Sequence, residues 1–236
     1  DNFIVGSRYG DLDIGDRGYG RLIEPLDLKN NIEKTLGKVI VTSGPTIEAI
    51  DDVKVITNKS SGKQGRAIAV ELSSRGYETI YIHSSQISPI PGIQNVIFTS
   101  SSELLLKINE NIDNCNYLFM TAAVSDFITE KENGKISRES GNIQLNLKPN
   151  IDVVKTIKEM KDDIVTVAFS AQVNDDLNFD KIKRKNSDYL VINNILKNNF
   201  GSDLNKIKII NKKELIYESN EMSKSDIAYE LLDVLL

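Results

Sequence analysis

Hydrophobic and polar positions switch between two periods along this chain, and the switching predicts its elements. Lys38-Val39-Ile40-Val41-Thr42-Ser43 is a short apolar run closed by Gly44-Pro45, the pattern of a strand ending in a turn. A long loop follows to about Gly62. From Lys63 to Arg75 the apolar residues Ala67, Ile68, Val70 and Leu72 fall near helical spacing, and Gly76 stands where a C-cap glycine would. Strands are then expected over Thr79–His83 and Asn95–Phe98, a helix over Glu103–Ile112, and a strand over Tyr117–Ala123 that runs into small residues. The second half repeats the theme with a helix over Asp152–Met160, a strand over Ile164–Phe169, a helix over Phe179–Arg184 and a strand over Tyr189–Ile192.

Such alternation specifies βαβ units, because parallel strands need a crossover and the crossover helices cover the sheet. The expected class is α/β, a Rossmann-like three-layer sandwich around a mostly parallel sheet. Three stretches depart from the theme. Ile207–Ile210 and Leu215–Tyr217, separated by Lys212-Lys213, read as a C-terminal β-hairpin, with a closing helix from about Ser225 to Leu236. Asp126 to Pro149 is polar and lysine-rich and reads as a mobile flap or arm, with an edge strand at Ile143–Leu147. Gly6 to Gly20 carries glycines, aspartates and arginines with neither period, and reads as an irregular tail or linker.

Composition removes several classes of function. A chain of 236 residues can hold one α/β domain with its own core. The net charge of −5, with both signs spread along the sequence, offers no concentrated basic surface, so nucleic acid is not an expected partner. Cys115 is the only cysteine and His83 the only histidine, which leaves no disulfide framework, zinc cluster or Cys-His nucleophile pair. No apolar run approaches the roughly 20 residues of a membrane span, and Asp1-Asn2-Phe3 does not open a secretory signal. The expectation is a cytoplasmic protein that does not enter a membrane.

In an open parallel sheet, ligands bind beyond the carboxyl ends of the strands. Four segments there hold candidate chemistry. Ser43-Gly44-Pro45-Thr46 continues to Asn58-Lys59-Ser60-Ser61-Gly62-Lys63-Gln64-Gly65 at the start of a helix, where amides, dipole and ammonium together favour a phosphate; an ordinary capped helix with a solvated lysine would look the same. It is not a Walker A motif, since Thr57 stands where that motif needs glycine and Gln64 where it needs Ser or Thr. Nor does it carry GxGxxG after the first strand, which argues against an NAD(P)-dependent oxidoreductase. After the strand at Tyr117, Thr121-Ala122-Ala123-Val124-Ser125-Asp126-Phe127 lets a ligand approach backbone, and Asp126 reads equally as a magnesium or substrate ligand and as a helix N-cap. Ala168-Phe169-Ser170 ends another strand, with Phe169 able to stack on a base or fill the core. Lys181-Ile182-Lys183-Arg184-Lys185-Asn186 is a basic run of the kind that usually coats a solvated helix face.

Taken in order, Gly44-Pro45-Thr46 with Ile50-Asp51, Ile56 to Gly65, Ala122 to Phe127, and Lys181-x-Lys183-Arg184-Lys185-Asn186-x-Asp188 resemble phosphopantothenate-cysteine ligase from about Lys38 to the end. Gly15-x-x-Gly18-x-Gly20-Arg21-Leu22-Ile23-Glu24-Pro25 resembles the end of the flavin-dependent decarboxylase domain that precedes this ligase in bifunctional enzymes. The resemblance thus divides the chain into a 1–37 linker or tail and a 38–236 ligase domain, with no FMN in this portion. It implies activation of 4'-phosphopantothenate by CTP, with Mg2+, to an acyl cytidylate, which cysteine then converts to the amide. Carried over by motif, Asn58 and Lys181 are catalytic; Gly44, Ser61, Gly62, Lys63, Ala168, Phe169, Ser170, Lys181, Phe200 and Lys224 bind nucleotide; Asn58, Ala123 and Asp126 bind substrate. It also implies a homodimer with the arm at the partner's site. The chain departs from the family where Ser170-Ala171-Gln172-Val173 replaces the common Ala-Ala-Glu-Thr. A nucleotide-binding regulatory module would keep the phosphate loop without needing Asn58 and Lys181 together.

Overall fold

The computed structural model describes residues 7–12, 15–33, 36–174, 176–194 and 202–236. A β-hairpin, β1 (Arg8–Asp11) with β2 (Arg17–Arg21), and a helix, α1 (Pro25–Glu33), come first. β3 (Lys38–Ser43) leads into a small hairpin, β4 (Ile47–Ala49) with β5 (Val55–Thr57), and then into α2 (Lys63–Arg75). β6 (Glu78–Ser84), β7 (Gln94–Phe98), α3 (Ser101–Asn111) and β8 (Cys115–Met120) follow, and β9 (Phe127–Ile128) and β10 (Lys148–Pro149) bracket the arm. Next are α4 (Val153–Met160), β11 (Val165–Gln172), α5 (Phe179–Lys185) and β12 (Tyr189–Asn194). β13 (Leu204–Asn205), β14 (Ile207–Ile210), β15 (Leu215–Glu218), β16 (Met222–Ser223) and α6 (Lys224–Leu235) complete the chain.

The eight-stranded sheet runs β15-β14-β12-β11-β8-β3-β6-β7, parallel from β12 to β7 and antiparallel across β14 and β15. Ranked by their order in the chain, the parallel strands read 3-2-1-4-5-6, so successive connections leave β3 in opposite directions and a crevice opens beyond β3 and β8. Strands covered on both faces must be apolar at consecutive positions, and Val39, Ile40 and Val41 are all fully buried. Ile40, Leu118 and Ala168 face α3, α4 and α5 through Leu104, Ile157 and Ile182. Val41, Phe119 and Val167 face α2 and α6 through Ile68, Leu72 and Leu231. The Rossmann-like class and the C-terminal hairpin are as the sequence implies.

Both ends of α2 matter to the crevice. Gly76 ends the helix in the left-handed region, φ 100°, with its N–H on the carbonyls of Leu72 and Ser73. At the other end, a Cβ on Gly65 would sit 2.3 Å from Thr121 Oγ1 and 2.8 Å from Ser43 Oγ. Only glycine lets the helix start this close to the ends of β3 and β8.

Three expectations are corrected. Gly6 to Gly20 is not irregular in its described part: Tyr9 pairs with Tyr19 and Asp11 with Arg17. The hairpin seats on the start of α6, with the Tyr9 hydroxyl 3.3 Å from Ser223 Oγ, Arg17 2.9 Å from the Asp226 carboxylate, and the Arg17 guanidinium 5.8 Å from the ring centres of both Tyr9 and Tyr229. Aromatic and arginine side chains do this anchoring between glycines, so no apolar period announces it. The loop before Gly62 contains the β4–β5 hairpin. Ile143–Leu147 forms no strand; the arm is fixed instead by β9 pairing with β10 and by Asp51 accepting from the Ile136 amide at 3.0 Å and Asp52 from the Gly134 amide at 2.9 Å.

Candidate active site

Beyond the carboxyl ends of β8 and β11 lies a cleft of about 910 Å³. Ala122 to Phe127 form one wall and Ala168 to Ala171 another; Asn150 to Val154, entering α4, form a third. Asn58 and Lys59 reach in from the loop before α2, and Lys181, Arg184 and Lys185 from α5. Backbone polar groups, an amide, a carboxylate with no ion pair among the described residues and a cluster of cations therefore converge on one volume.

Asn58 is held by its own donors. Its Nδ2 donates to the carbonyls of Ala123 at 3.2 Å and Val124 at 3.0 Å, which leaves Oδ1 as an acceptor for a ligand. The wall it grips is itself tied to β3, because Ala123 donates to the Gly44 carbonyl at 2.9 Å. Gly44 turns at φ 86°, and a Cβ there would run into Ile87 and Ser84. Gly44 thus shapes the Ala123 segment and does not line the cleft.

Lys181 sits in the first turn of α5, whose N-cap Asn178 accepts from the Lys181 amide at 2.9 Å. Burial holds its ammonium below the usual lysine range, and Lys185 and Arg184 push the same way while Asp126 and Asp152 oppose them. Lys185 is neutralised by Asp152 at 3.1 Å, and Asp152 also caps α4 by accepting from the Lys155 amide. Asp126 precedes the short strand β9, so its alternative reading as a helix N-cap is excluded. Its backbone carbonyl accepts from Asn150 at 2.9 Å while its side chain lines the cleft opposite cations. Phe169 packs on the α2 and α6 side of the core and also lines the cleft.

The remaining expected residues fall elsewhere. Lys63 turns away to Asp203 at 2.6 Å, beside Lys224, whose ammonium donates to the Ser202 carbonyl. Burial and then Lys63 hold Lys224 below the usual lysine range, with Asp203 opposing. Ser61, Gly62, Lys63 and Lys224 are not part of the cleft wall, although α2 begins there without a side-chain cap at Gly62. Phe200 lies outside the described residues. Asp188, in the family-like motif, is structural: it accepts from the Thr166 amide at 2.8 Å, Thr166 Oγ1 at 3.0 Å and Lys158 at 2.9 Å. Arg184 and Lys185 enter the cleft with Lys181 because positions three and four apart share a helix face, a signal the basic run carried. No group of three or more His, Cys, Asp or Glu suited to a metal occurs among the described residues, and none of their helices is long and apolar enough to cross a membrane.

Over residues 35–236 the sequence matches the family described as the DNA/pantothenate metabolism flavoprotein C-terminal domain. The chain belongs to that family. It is similar to a protein named Cysteine/Cysteine sulfinic acid decarboxylase from an unknown prokaryotic organism, with 31% identity covering 100% of this chain and 71% of that one. It is also similar to the coenzyme A biosynthesis bifunctional protein CoaBC of Bacillus subtilis strain 168, with 32% identity covering 94% of this chain and 59% of the relative. The crystal structure of a C-terminal domain of CoaBC matches with a TM-score of 0.68 and 27% identity, covering 84% of this chain and 93% of that one. The chain therefore spans only part of its curated relatives, 59% in the Bacillus case. Within this DNA/pantothenate metabolism flavoprotein family, the motif likeness to phosphopantothenate-cysteine ligase is upheld.

Proposed function

We propose that the chain is a ligase of coenzyme A biosynthesis that joins 4'-phosphopantothenate to cysteine using CTP. The observation that carries this reading is the single cleft in which Asn58 and Lys181, from distant parts of the sequence, meet at the carboxyl ends of β8 and β11. Kinship with the CoaBC proteins supports it.

In the first step a carboxylate oxygen of phosphopantothenate attacks the α-phosphorus of CTP, the α–β anhydride bond breaks, and pyrophosphate leaves. Negative charge spreads over nonbridging oxygens in that transition state, where the half-buried Lys181 ammonium, backed by Arg184, stabilises it most. In the second step the cysteine amine attacks the acyl carbon, CMP leaves with the carbon–oxygen bond pair, and the amine gives up a proton. Asn58 Oδ1 is an acceptor suited to an N–H of that entering amine. No protein nucleophile is required, which suits a chain whose only cysteine, Cys115, is buried with its thiol pushed up to about 11. The cleft fits Mg2+ arriving with the triphosphate, since Asp126 offers one carboxylate and phosphate oxygens complete the shell. When bound, the ion neutralises phosphate charge.

The same reading takes residues 1–37 as the join to a flavin-dependent decarboxylase domain and 38–236 as the ligase domain of a cytoplasmic homodimer. Incubation with phosphopantothenate, magnesium and each triphosphate tests it: pyrophosphate release is expected with CTP, and amide product on adding cysteine. Faster release with ATP would overturn the nucleotide assignment; no release with any triphosphate would overturn the ligase itself.

A further inference from the structure

Ala168, Ser170 and Gln172 alternate along β11 and so share the sheet face that carries α4 and α5. Ser170 is 2% exposed and lines the cleft. Its Oγ accepts a hydrogen bond from Gln172 Nε2 at 3.1 Å. A hydroxyl has one proton to give and lone pairs to receive. With the Gln172 amide occupying a lone pair, the proton is left to be aimed, and no acceptor for it is found among the described residues. These are also the positions at which the chain departs from the Ala-x-Glu common in the ligases it resembles. A glutamate at 172 would have taken the serine's proton; the amide gives one and turns the hydroxyl the other way.

We propose that Gln172 is a positioning residue that makes the Ser170 hydroxyl a hydrogen-bond donor to an acceptor atom of the bound nucleotide, so that Ser170 helps to set nucleotide specificity. This rests on the nucleotide-binding reading above. The acceptor is an oxygen or ring nitrogen of the nucleotide, on its base, ribose or phosphates.

Calorimetric titration of the full chain with CTP and with cytidine tests it. Ser170→Ala and Gln172→Glu are each expected to weaken CTP binding about tenfold, the scale of one hydrogen bond to a ligand. The double variant should bind no worse than the weaker single one, and Ser170→Thr, which keeps the hydroxyl, should restore binding. In turnover KM for the nucleotide should rise while kcat holds, a split that general unfolding would not produce. A loss shared by cytidine supports an acceptor on base or ribose, and a loss confined to CTP supports one on a phosphate. Binding unchanged in Gln172→Glu overturns the inference, as does a Gln172→Glu loss that persists in full on the Ser170→Ala background, which would mark simple charge repulsion. Wild-type protein that takes up no nucleotide overturns the ligase reading along with this one, whereas normal wild-type uptake with unaffected variants overturns this one alone.

Discussion

Lys185 meets the Asp152 carboxylate at 3.1 Å, while Lys181, one turn earlier on α5, has no carboxylate within ion-pairing distance among the described residues. One cation is spent on architecture and the other is left for a ligand. Its depressed proton affinity then acquires a functional meaning, since an anionic ligand restores what burial takes away.

Lys181→Gln should lower pyrophosphate release by roughly a hundredfold or more, the scale of losing one oriented electrostatic donor. The charged form is needed, so activity should decline as pH rises through the lowered lysine pKa, earlier than an ordinary lysine would allow. Lys181→Arg, always charged, should move that alkaline limb upward. A pH profile identical in wild type and Lys181→Arg would remove Lys181 from the reaction.

Asn58→Asp should place a carboxylate against the carbonyls of Ala123 and Val124, where Nδ2 now donates. The amide-forming step should slow more than the first, with acyl cytidylate accumulating in a quench experiment. Because Asn58 is exposed, the melting temperature should change little. Equal slowing of both steps would count against its role in handling the acyl intermediate.

Gly65→Ala should cost about 1–3 kcal/mol in denaturant unfolding, the usual penalty for overpacking. The added methyl cannot coexist with Thr121 Oγ1 at 2.3 Å, so α2 must shift from the ends of β3 and β8. An unchanged midpoint would show that this contact is slack.

Asp188→Asn should destabilise the fold by about 1–3 kcal/mol, because hydrogen bonds to a charged acceptor and an ion pair are lost. The Asp188 carboxyl lies below the usual range despite burial, owing to bonds from Thr166 and Lys158. A carboxyl whose folded pKa is lowered contributes stability above its unfolded value of about 4. That contribution disappears as pH falls through the folded value. Acid unfolding curves should therefore be shallower for the variant; parallel curves would contradict the assignment.

The parallel sheet was legible because βαβ units write their period locally: β3 and the limits of α2 match the expected runs to the residue. What escaped was fixed by partners remote in sequence. The place of Lys63 at a helix start says nothing of its ion pair with Asp203, which comes from the far end of the chain. Asn58 and Lys181 line one cleft, and their meeting depends on a sheet order that no single window of sequence contains. Arg17 gave no period because its anchors, Tyr229 and Asp226, lie on the last helix.

That last contact bears on where the protein can be cut. Excision at Lys38, where the parallel sheet begins, would strip Ser223 and Asp226 of Tyr9 and Arg17 and leave the head of α6 without its buttress. A fragment designed from sheet boundaries alone would thus be a weakened body, and its shortened lifetime in a protease would be mistaken for a property of the fold.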